Sequence, residues 1–140
     1  LSAAFCIGAT WVFGGLEGTL EALSKWVEPG GLVLVGHPFR RIMAEAEFRT
    51  GENTERTSVD ALGTHAENTQ AGAGLGLTYL YSVASSQDDW DAYTQLTHLA
   101  AERDDPDVPE LLAKMRSETA HYFGYERAVI GWAAYLFMKP

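Results

Sequence analysis

The chain has 140 residues, of which 46% are hydrophobic and 21% are charged, a composition typical of one globular domain with a modest core. The formal net charge of -9 argues against binding to nucleic acid or to anionic membrane surfaces, because both attract clustered Lys and Arg. The single cysteine, Cys6, excludes an internal disulfide and a cysteine-based zinc site. It also fits a reducing, cytoplasmic setting.

The start of the sequence lacks the features of a targeting segment. It carries no basic region before the apolar residues, so no signal peptide is predicted. No apolar run reaches about 18 residues, so no transmembrane helix is predicted. The chain lacks an initiator Met and opens almost directly on an apolar strand pattern. We therefore expect it to begin in the middle of a domain.

The first part of the chain predicts one strand–helix–strand unit. Ala3–Ala9 is a short apolar run with the length of a buried strand. Apolar residues then recur at helical spacing over Leu16–Val27. The Pro29-Gly30-Gly31 turn stops that helix before a second apolar strand, Leu32–Val35. Pro38 is expected to end this strand because it cannot donate to a ladder. Such a unit holds its two strands parallel.

The remainder alternates in the same way and favours a single α/β domain over residues 1–140. Residues 40–63 predict a short helix followed by a polar loop. Thr64 is predicted as the N-cap of the helix that follows it. The later elements, in chain order, are predicted as helix His65–Ala73, strand Leu77–Ala84, helix Asp88–Arg103, helix Val108–Glu126 and a closing strand, VIGWAAYLFMK.

The segment AAFCIGATWVFGGLEGTLEALSKWVEPGGLVLVG resembles the middle of a class I S-adenosylmethionine-dependent methyltransferase. It is similar to the fourth strand, the next helix and the fifth strand of that family, and YERAVIGWAAYLFMKP is similar to the closing strand. The resemblance implies the C-terminal half of a Rossmann-like sheet. That sheet is mostly parallel, with an antiparallel closing strand and flanking helices.

Two features of the family are missing from this sequence. The glycine-rich loop that follows the first strand has no counterpart, because GAGLG at 72–76 follows a helix and precedes a strand. The acidic residue that binds the ribose at the end of the second strand is also missing. Ser2 stands where an Asp is common, and His37 stands where a carboxylate is expected. The chain is therefore interpreted as lacking the N-terminal cofactor-loop half.

The resemblance also implies a site at the carboxyl ends of the first two strands, where open α/β sheets bind ligands. Gly8, Ala9, Thr10 and Trp11 are expected beside the methionine part of S-adenosylmethionine; the alternative is a tight turn with Trp11 packed on the sheet. The expected acceptor pocket contains four residues, with His37 as a candidate base: Phe13, His37, Phe39 and Trp90. The alternative for His37 is a surface turn.

Other candidate residues have structural interpretations. Cys6 is read as a small buried apolar residue rather than a nucleophile. Trp90, Thr94 and Thr97 share a helical face, which either covers the substrate or packs on the sheet. No histidine pair has metal-ligand spacing, so no metal site is predicted.

The sequence thus predicts a C-terminal fragment of a small-molecule methyltransferase, inactive by itself. Two other hypotheses stay open: a non-catalytic α/β module that acts by pairing with another chain, and a different doubly wound enzyme. Because Ala3–Ala9 would form an unprotected sheet edge, we expect a homodimer or a complex with the missing half. Residues 1–15 would be buried in that contact.

Overall fold

The computed structural model describes residues 1–41, 59, 61–104 and 107–140. These residues form a four-stranded sheet, in the order β1-β2-β4-β3, from β1 Ala3–Ile7, β2 Leu32–Arg40, β3 Thr78–Ala84 and β4 Ile130–Met138. β1 and β2 pair in parallel, whereas β4 runs antiparallel to both of its neighbours. The predicted α/β class with an antiparallel closing strand is confirmed. Because β4 lies between β2 and β3, the sheet has one parallel pairing and two antiparallel pairings.

The helices follow the predicted order along the described residues. They are α1 Leu16–Ser24, α2 His65–Gln70, α3 Gln87–Asp104, α4 Pro109–His121 and the short α5 Arg127–Val129. Turns of 3-10 helix cover Thr10–Phe13 and Ala73–Leu75, and a π-helical segment covers Tyr122–Glu126. The short helix and polar loop predicted within 40–63 fall mostly outside the described residues. No helix in the described ranges is long and apolar enough to cross a membrane.

Several element ends differ from the predictions for local reasons. β1 ends at Ile7 because Gly8 turns the chain with a φ of +72°, a conformation that glycine adopts readily. The prediction that Pro38 ends the second strand is wrong, because β2 continues to Arg40. Beyond Gly36, β2 has left its pairing with β1, and on that side the Arg40 N–H donates instead to the Gly63 carbonyl at 2.9 Å. Pro38 lies between these two pairings, where its missing N–H breaks no ladder bond.

Capping side chains set two of the helix starts. The Thr64 hydroxyl accepts from the Glu67 N–H at 3.2 Å, and the Glu67 carboxylate accepts from the Thr64 N–H at 2.7 Å. The predicted N-cap is therefore present as a reciprocal capping box. Ser86 caps α3 similarly, since its hydroxyl accepts from the Asp89 N–H at 3.1 Å. Pro109 occupies the first turn of α4, where a missing N–H costs nothing.

The core lies on one face of the sheet. Leu16, Leu20 and Leu23 of α1 are almost completely buried at the spacing that puts them on one side of a helix. They pack with strand residues whose side chains share that face, among them Val33, Val35, Tyr135 and Phe137. Cys6 is partly buried against the same cluster.

The opposite face, called here the outer face, keeps apolar side chains exposed. Phe5 is 74% exposed and Ile7 49% exposed on β1. Tyr81 and Val83 on β3 are 64% and 57% exposed. A helix layer covers the core face but leaves this row of side chains in solvent. Apolar surface of this kind is typical of an interface.

An ion pair with hydrogen bonds joins α3 to the chain that leads into β4. The Asp91 carboxylate accepts from the Arg127 guanidinium at 3.0 Å, from the Tyr122 hydroxyl at 2.7 Å and from Gln87 Nε2 at 3.2 Å. Hydrogen bonds from Arg127 and then Tyr122 lower the Asp91 pKa to about 2. Burial, with Asp91 nearby, raises the Tyr122 pKa to about 12. Tyr122 begins the π-helical segment, so the predicted single helix Val108–Glu126 is divided here.

Asp91→Asn should lower the melting temperature at neutral pH by several degrees, because the substitution removes the charge that Arg127 binds. A carboxyl group with a depressed folded pKa stabilises the fold above its ordinary pKa. That contribution is lost as the pH falls through the folded value. The difference in melting temperature between wild type and variant should therefore shrink between pH 3.8 and about 2. Thermal unfolding followed by circular dichroism across this range measures it. Asp104→Asn, which affects an exposed pair with the adjacent Arg103, is the control; an equal effect there contradicts the argument.

Candidate functional site

An open cleft of about 890 Å3 lies where β1 and β2 end. β1 delivers Gly8 and the turn after it, and β2 delivers Gly36, His37 and Pro38 to the same edge. Parallel strands bring their carboxyl ends together, and ligands of open α/β sheets bind in that position. The cleft is therefore the candidate functional site.

The turn after β1 forms one side of the cleft. Gly8 has a φ of +72°, and a Cβ built on it would meet no atom within 4 Å. Glycine is thus required here by the backbone conformation, while the space beside it stays open. Thr10, 7% exposed, follows in the 3-10 turn. The Gly15 N–H holds this turn by donating to the Thr10 carbonyl at 2.9 Å, and the Thr19 hydroxyl in turn donates to the Gly15 carbonyl at 2.7 Å.

His37 is held against this turn. Its Nδ1 lies 2.9 Å from the Thr10 hydroxyl oxygen, which joins the end of β2 to the turn after β1. Burial lowers the pKa of His37, so the imidazole is neutral at neutral pH. A neutral, oriented imidazole is able to accept a proton from a ligand in the cleft.

Aromatic rings form the other side. The Trp90 ring stacks on Tyr93 with centroids 5.5 Å apart, and on Trp132 with centroids 6.5 Å apart. The Trp132 ring lies over Gly36, where an added Cβ would clash with the ring. Trp11, 79% exposed, lies on the side of the turn. Flat rings in an open cleft suit a ligand with an apolar or cationic group.

The structure brings together most of the residues predicted for the site. Five of them line the cleft: Gly8, Thr10, Trp11, His37 and Trp90. Ala9, Phe13 and Phe39 are not among the lining residues. Phe39 packs on the core and against the His65 ring at 4.9 Å. It fills the space that Gly131 leaves by having no side chain.

The predicted face of α3 divides between two roles. Trp90 covers the cleft, whereas Thr94 and Thr97 line a neighbouring cavity of about 360 Å3 against α4. The face therefore packs partly on a helix and not simply on the sheet. Trp90 and Tyr93 line both cavities.

Two lining residues were missed by the sequence analysis, Asn68 and Trp132. Asn68 lies in α2 and is 5% exposed. Its Nδ2 donates to the Pro38 carbonyl at 3.2 Å and to the Tyr135 hydroxyl at 3.1 Å. In the sequence, a single polar residue within a short helix gives little indication that it lines a site. The only sequence feature that indicates Trp132 as a lining residue is its position in the closing strand, on the side opposite the core residues.

The architecture and the cleft define a class: part of a Rossmann-like α/β fold with a ligand site at the carboxyl ends of its parallel strands. Comparisons agree. A SAM-dependent methyltransferase from Geobacter sulfurreducens, crystallised with S-adenosyl-L-homocysteine, is 27% identical with a TM-score of 0.82. A SAM-dependent methyltransferase from Thiobacillus denitrificans, also crystallised with S-adenosyl-L-homocysteine, is 27% identical with a TM-score of 0.79. The matches cover 99% and 100% of this chain, and 58% of each of those chains.

Among curated proteins, the chain is similar to the uncharacterised protein YjhP of Escherichia coli K12. The two are 32% identical over 139 residues, which cover 94% of this chain and 55% of YjhP. No protein-family model matches the sequence. The chain is thus related in sequence and fold to class I S-adenosylmethionine-dependent methyltransferases. It corresponds to the C-terminal part of these proteins and spans little more than half of their length.

Proposed function

We propose that the chain forms the acceptor-binding part of a small-molecule methyltransferase that uses S-adenosylmethionine. The observation that supports this most directly is the cleft at the ends of β1 and β2, in a chain related to methyltransferases crystallised with S-adenosyl-L-homocysteine. The open space beside Gly8 suits a ligand that approaches the backbone closely. We assign the turn formed by Gly8, Ala9, Thr10 and Trp11 to the methionine side of the cofactor.

When bound, S-adenosylmethionine supplies a methyl group on a sulfonium: a bond forms from acceptor to methyl carbon, and the carbon–sulfur electron pair stays on sulfur. This chain's residues position the acceptor and handle its proton. His37 is assigned as the base. The tautomer in which its Nδ1–H donates to Thr10 leaves Nε2 with a free lone pair. That nitrogen takes the proton that the acceptor loses.

Phe13 and Phe39 do not line the cleft, so we restrict the acceptor contacts on this chain to His37, Trp90 and the residues around them. The remaining part of the cofactor site belongs to the length of the relatives that this chain does not cover. We call the longest natural chain that contains these 140 residues the parent polypeptide.

The isolated 140-residue chain should bind S-adenosylmethionine far more weakly than a parent polypeptide of the length of its relatives. The reason is that its sequence has neither the glycine-rich loop nor the ribose carboxylate of the resembled family. Isothermal titration calorimetry on both proteins measures this. A micromolar dissociation constant for the isolated chain would contradict the prediction. Failure of a parent polypeptide with both features to bind would overturn the proposed function.

A second role is supported by a separate observation, the exposed apolar outer face and the exposed side chains of β1. We propose that this surface pairs with another polypeptide. For the isolated 140-residue chain, the partner is a second copy of the same chain.

A further inference from the structure

The side-chain amide of Asn68 has a fixed orientation. Its nitrogen lies 3.2 Å from the Pro38 carbonyl oxygen. A carbonyl oxygen only accepts hydrogen bonds, so the atom that faces it must be Nδ2 and not Oδ1. The hydrogen-bond network thus settles which way the amide points.

The second N–H of the amide is also occupied. Nδ2 lies 3.1 Å from the Tyr135 hydroxyl, which accepts this bond. The Tyr135 proton is then available to His65 Nδ1, 3.0 Å away. Tyr135 is completely buried. Asn68 is therefore held from the core side by both of its donors, and its Oδ1 is left to face another way.

Asn68 lines the cleft, and among the described residues no donor bonds to its Oδ1. None of those residues has a fully buried side-chain N or O atom that lacks a hydrogen bond, so an Oδ1 without a donor has contact with solvent. We infer that this contact is on the cleft side, because Asn68 lines the cleft. The oxygen lies beside Gly63, another lining residue, where an added Cβ would be 2.6 Å from Oδ1. The missing side chain at Gly63 leaves the oxygen accessible. A residue buried to this degree, with one accessible acceptor, is suited to bind a donor.

The charges around the cleft favour an amine as that donor. The described lining residues include Glu17 and Glu67 and no Lys or Arg. Glu67 is engaged by the Thr64 backbone and is close enough to Arg40 for that cation to lower its pKa further, so Glu17 supplies the uncompensated charge. The stacked rings of Trp90 and Trp132 add the negative faces that attract ammonium groups.

We propose that Asn68 Oδ1 accepts a hydrogen bond from the amino group of the methyl acceptor, and that the acceptor is a small amine. The proposal rests on the assignment of this cleft to a methyl acceptor. Asn68 binds an N–H of the amine, and His37 takes one proton from the ammonium, which frees the nitrogen lone pair that bonds to the methyl carbon. Each methyl group gained removes one N–H from the nitrogen. Asn68 therefore favours less methylated amines over fully substituted ones.

Two probes of similar shape separate the hydrogen bond from charge and ring stacking. Benzylamine carries an ammonium with N–H groups, and benzyltrimethylammonium carries the same charge and ring with none. Each is titrated into the parent polypeptide while the indole N–H signals of Trp90 and Trp132 are followed by NMR. Wild type is compared with Asn68→Ala, Gly63→Ala and Tyr135→Phe. Gly63→Ala blocks Oδ1 without removing the amide, and Tyr135→Phe removes a buried partner of Asn68 but leaves Oδ1 in place.

Asn68→Ala and Gly63→Ala should each weaken benzylamine binding about tenfold, the effect of losing one hydrogen bond to a charged group. Both should leave benzyltrimethylammonium binding within about twofold, and Tyr135→Phe should leave both ligands within that range. If Asn68→Ala does not fold, Gly63→Ala gives the answer. Equal losses for the two ligands, a loss in Tyr135→Phe matching that in Asn68→Ala, or no benzylamine-induced shift in wild type would each overturn the proposal. These titrations need no cofactor, so calorimetry with S-adenosylmethionine fails or succeeds independently of them.

Discussion

Gly8→Val in the parent polypeptide should reduce methyl transfer about 100-fold or more, because a displacement of about 1 Å at a reacting centre has an effect of this size. The valine side chain would occupy the open space beside residue 8, through which we expect the cofactor to approach. It would also force a β-branched residue into a φ of +72°, which costs about 1–2 kcal/mol. Filling the space beside residue 8 lowers turnover, whereas the strained backbone lowers the stability of the fold. A matched control is needed to separate them.

Gly30→Val is that control. Gly30 has a φ of +82° and, like Gly8, no atom within 4 Å of an added Cβ. It lies in the turn before β2, at the opposite end of the strand from the cleft. Both variants should lose similar thermal stability, whereas only Gly8→Val should lose turnover. The measurements are the initial rate with a radiolabelled methyl donor and the melting temperature of each variant. Unchanged turnover in Gly8→Val would remove this turn from the proposed site.

The sequence predicted the order of elements because each has a strong local signal. The spacing of Leu16, Leu20 and Leu23 defines a helix, and Thr64 with Glu67 defines a helix start. The end of β2 could not be predicted in this way. Whether Pro38 is tolerated depends on which neighbours β2 has at that point, and pairing is a property of the assembled sheet.

The site was predicted in part for a similar reason. Residues next to a strand end, such as Gly8, Thr10 and His37, follow from the topology, because parallel strands bring their ends together. Trp132 and Asn68 reach the cleft through the register of β4 and the packing of α2 on Tyr135. Neither contact leaves a pattern in the nearby sequence. Phe39 is the opposite case. Its position after the strand predicted a place in the pocket, but its ring packs in the core, in the space beside Gly131.

The isolated 140-residue chain should self-associate through β1. β1 bonds to β2 on one side, and the Leu32 N–H donates to the Ser2 carbonyl at 3.0 Å. Because successive residues of a strand point their N–H groups to opposite sides, Ser2 and its alternates face β2, while Phe5 and Ile7 face the free edge. The strand has no charge or proline to protect that edge. Two copies that pair these edges about a two-fold axis would satisfy the unpaired backbone groups of β1 in each copy.

Phe5→Lys should therefore shift the isolated chain from dimer to monomer. Lysine protects an edge, and the substitution removes a ring whose burial stabilises the contact by about 2 kcal/mol per copy. The dimer dissociation constant should consequently rise more than about tenfold. Tyr81→Lys is the matched control, since Tyr81 is a similarly exposed aromatic residue on the opposite edge strand, β3.

Light scattering measures the oligomeric state, and hydrogen exchange should show slow amides at Phe5 and Ile7 in wild type only. A wild-type monomer at tens of micromolar with fast exchange at both amides would show that this edge is not paired. Dissociation by Tyr81→Lys alone would move the contact to β3.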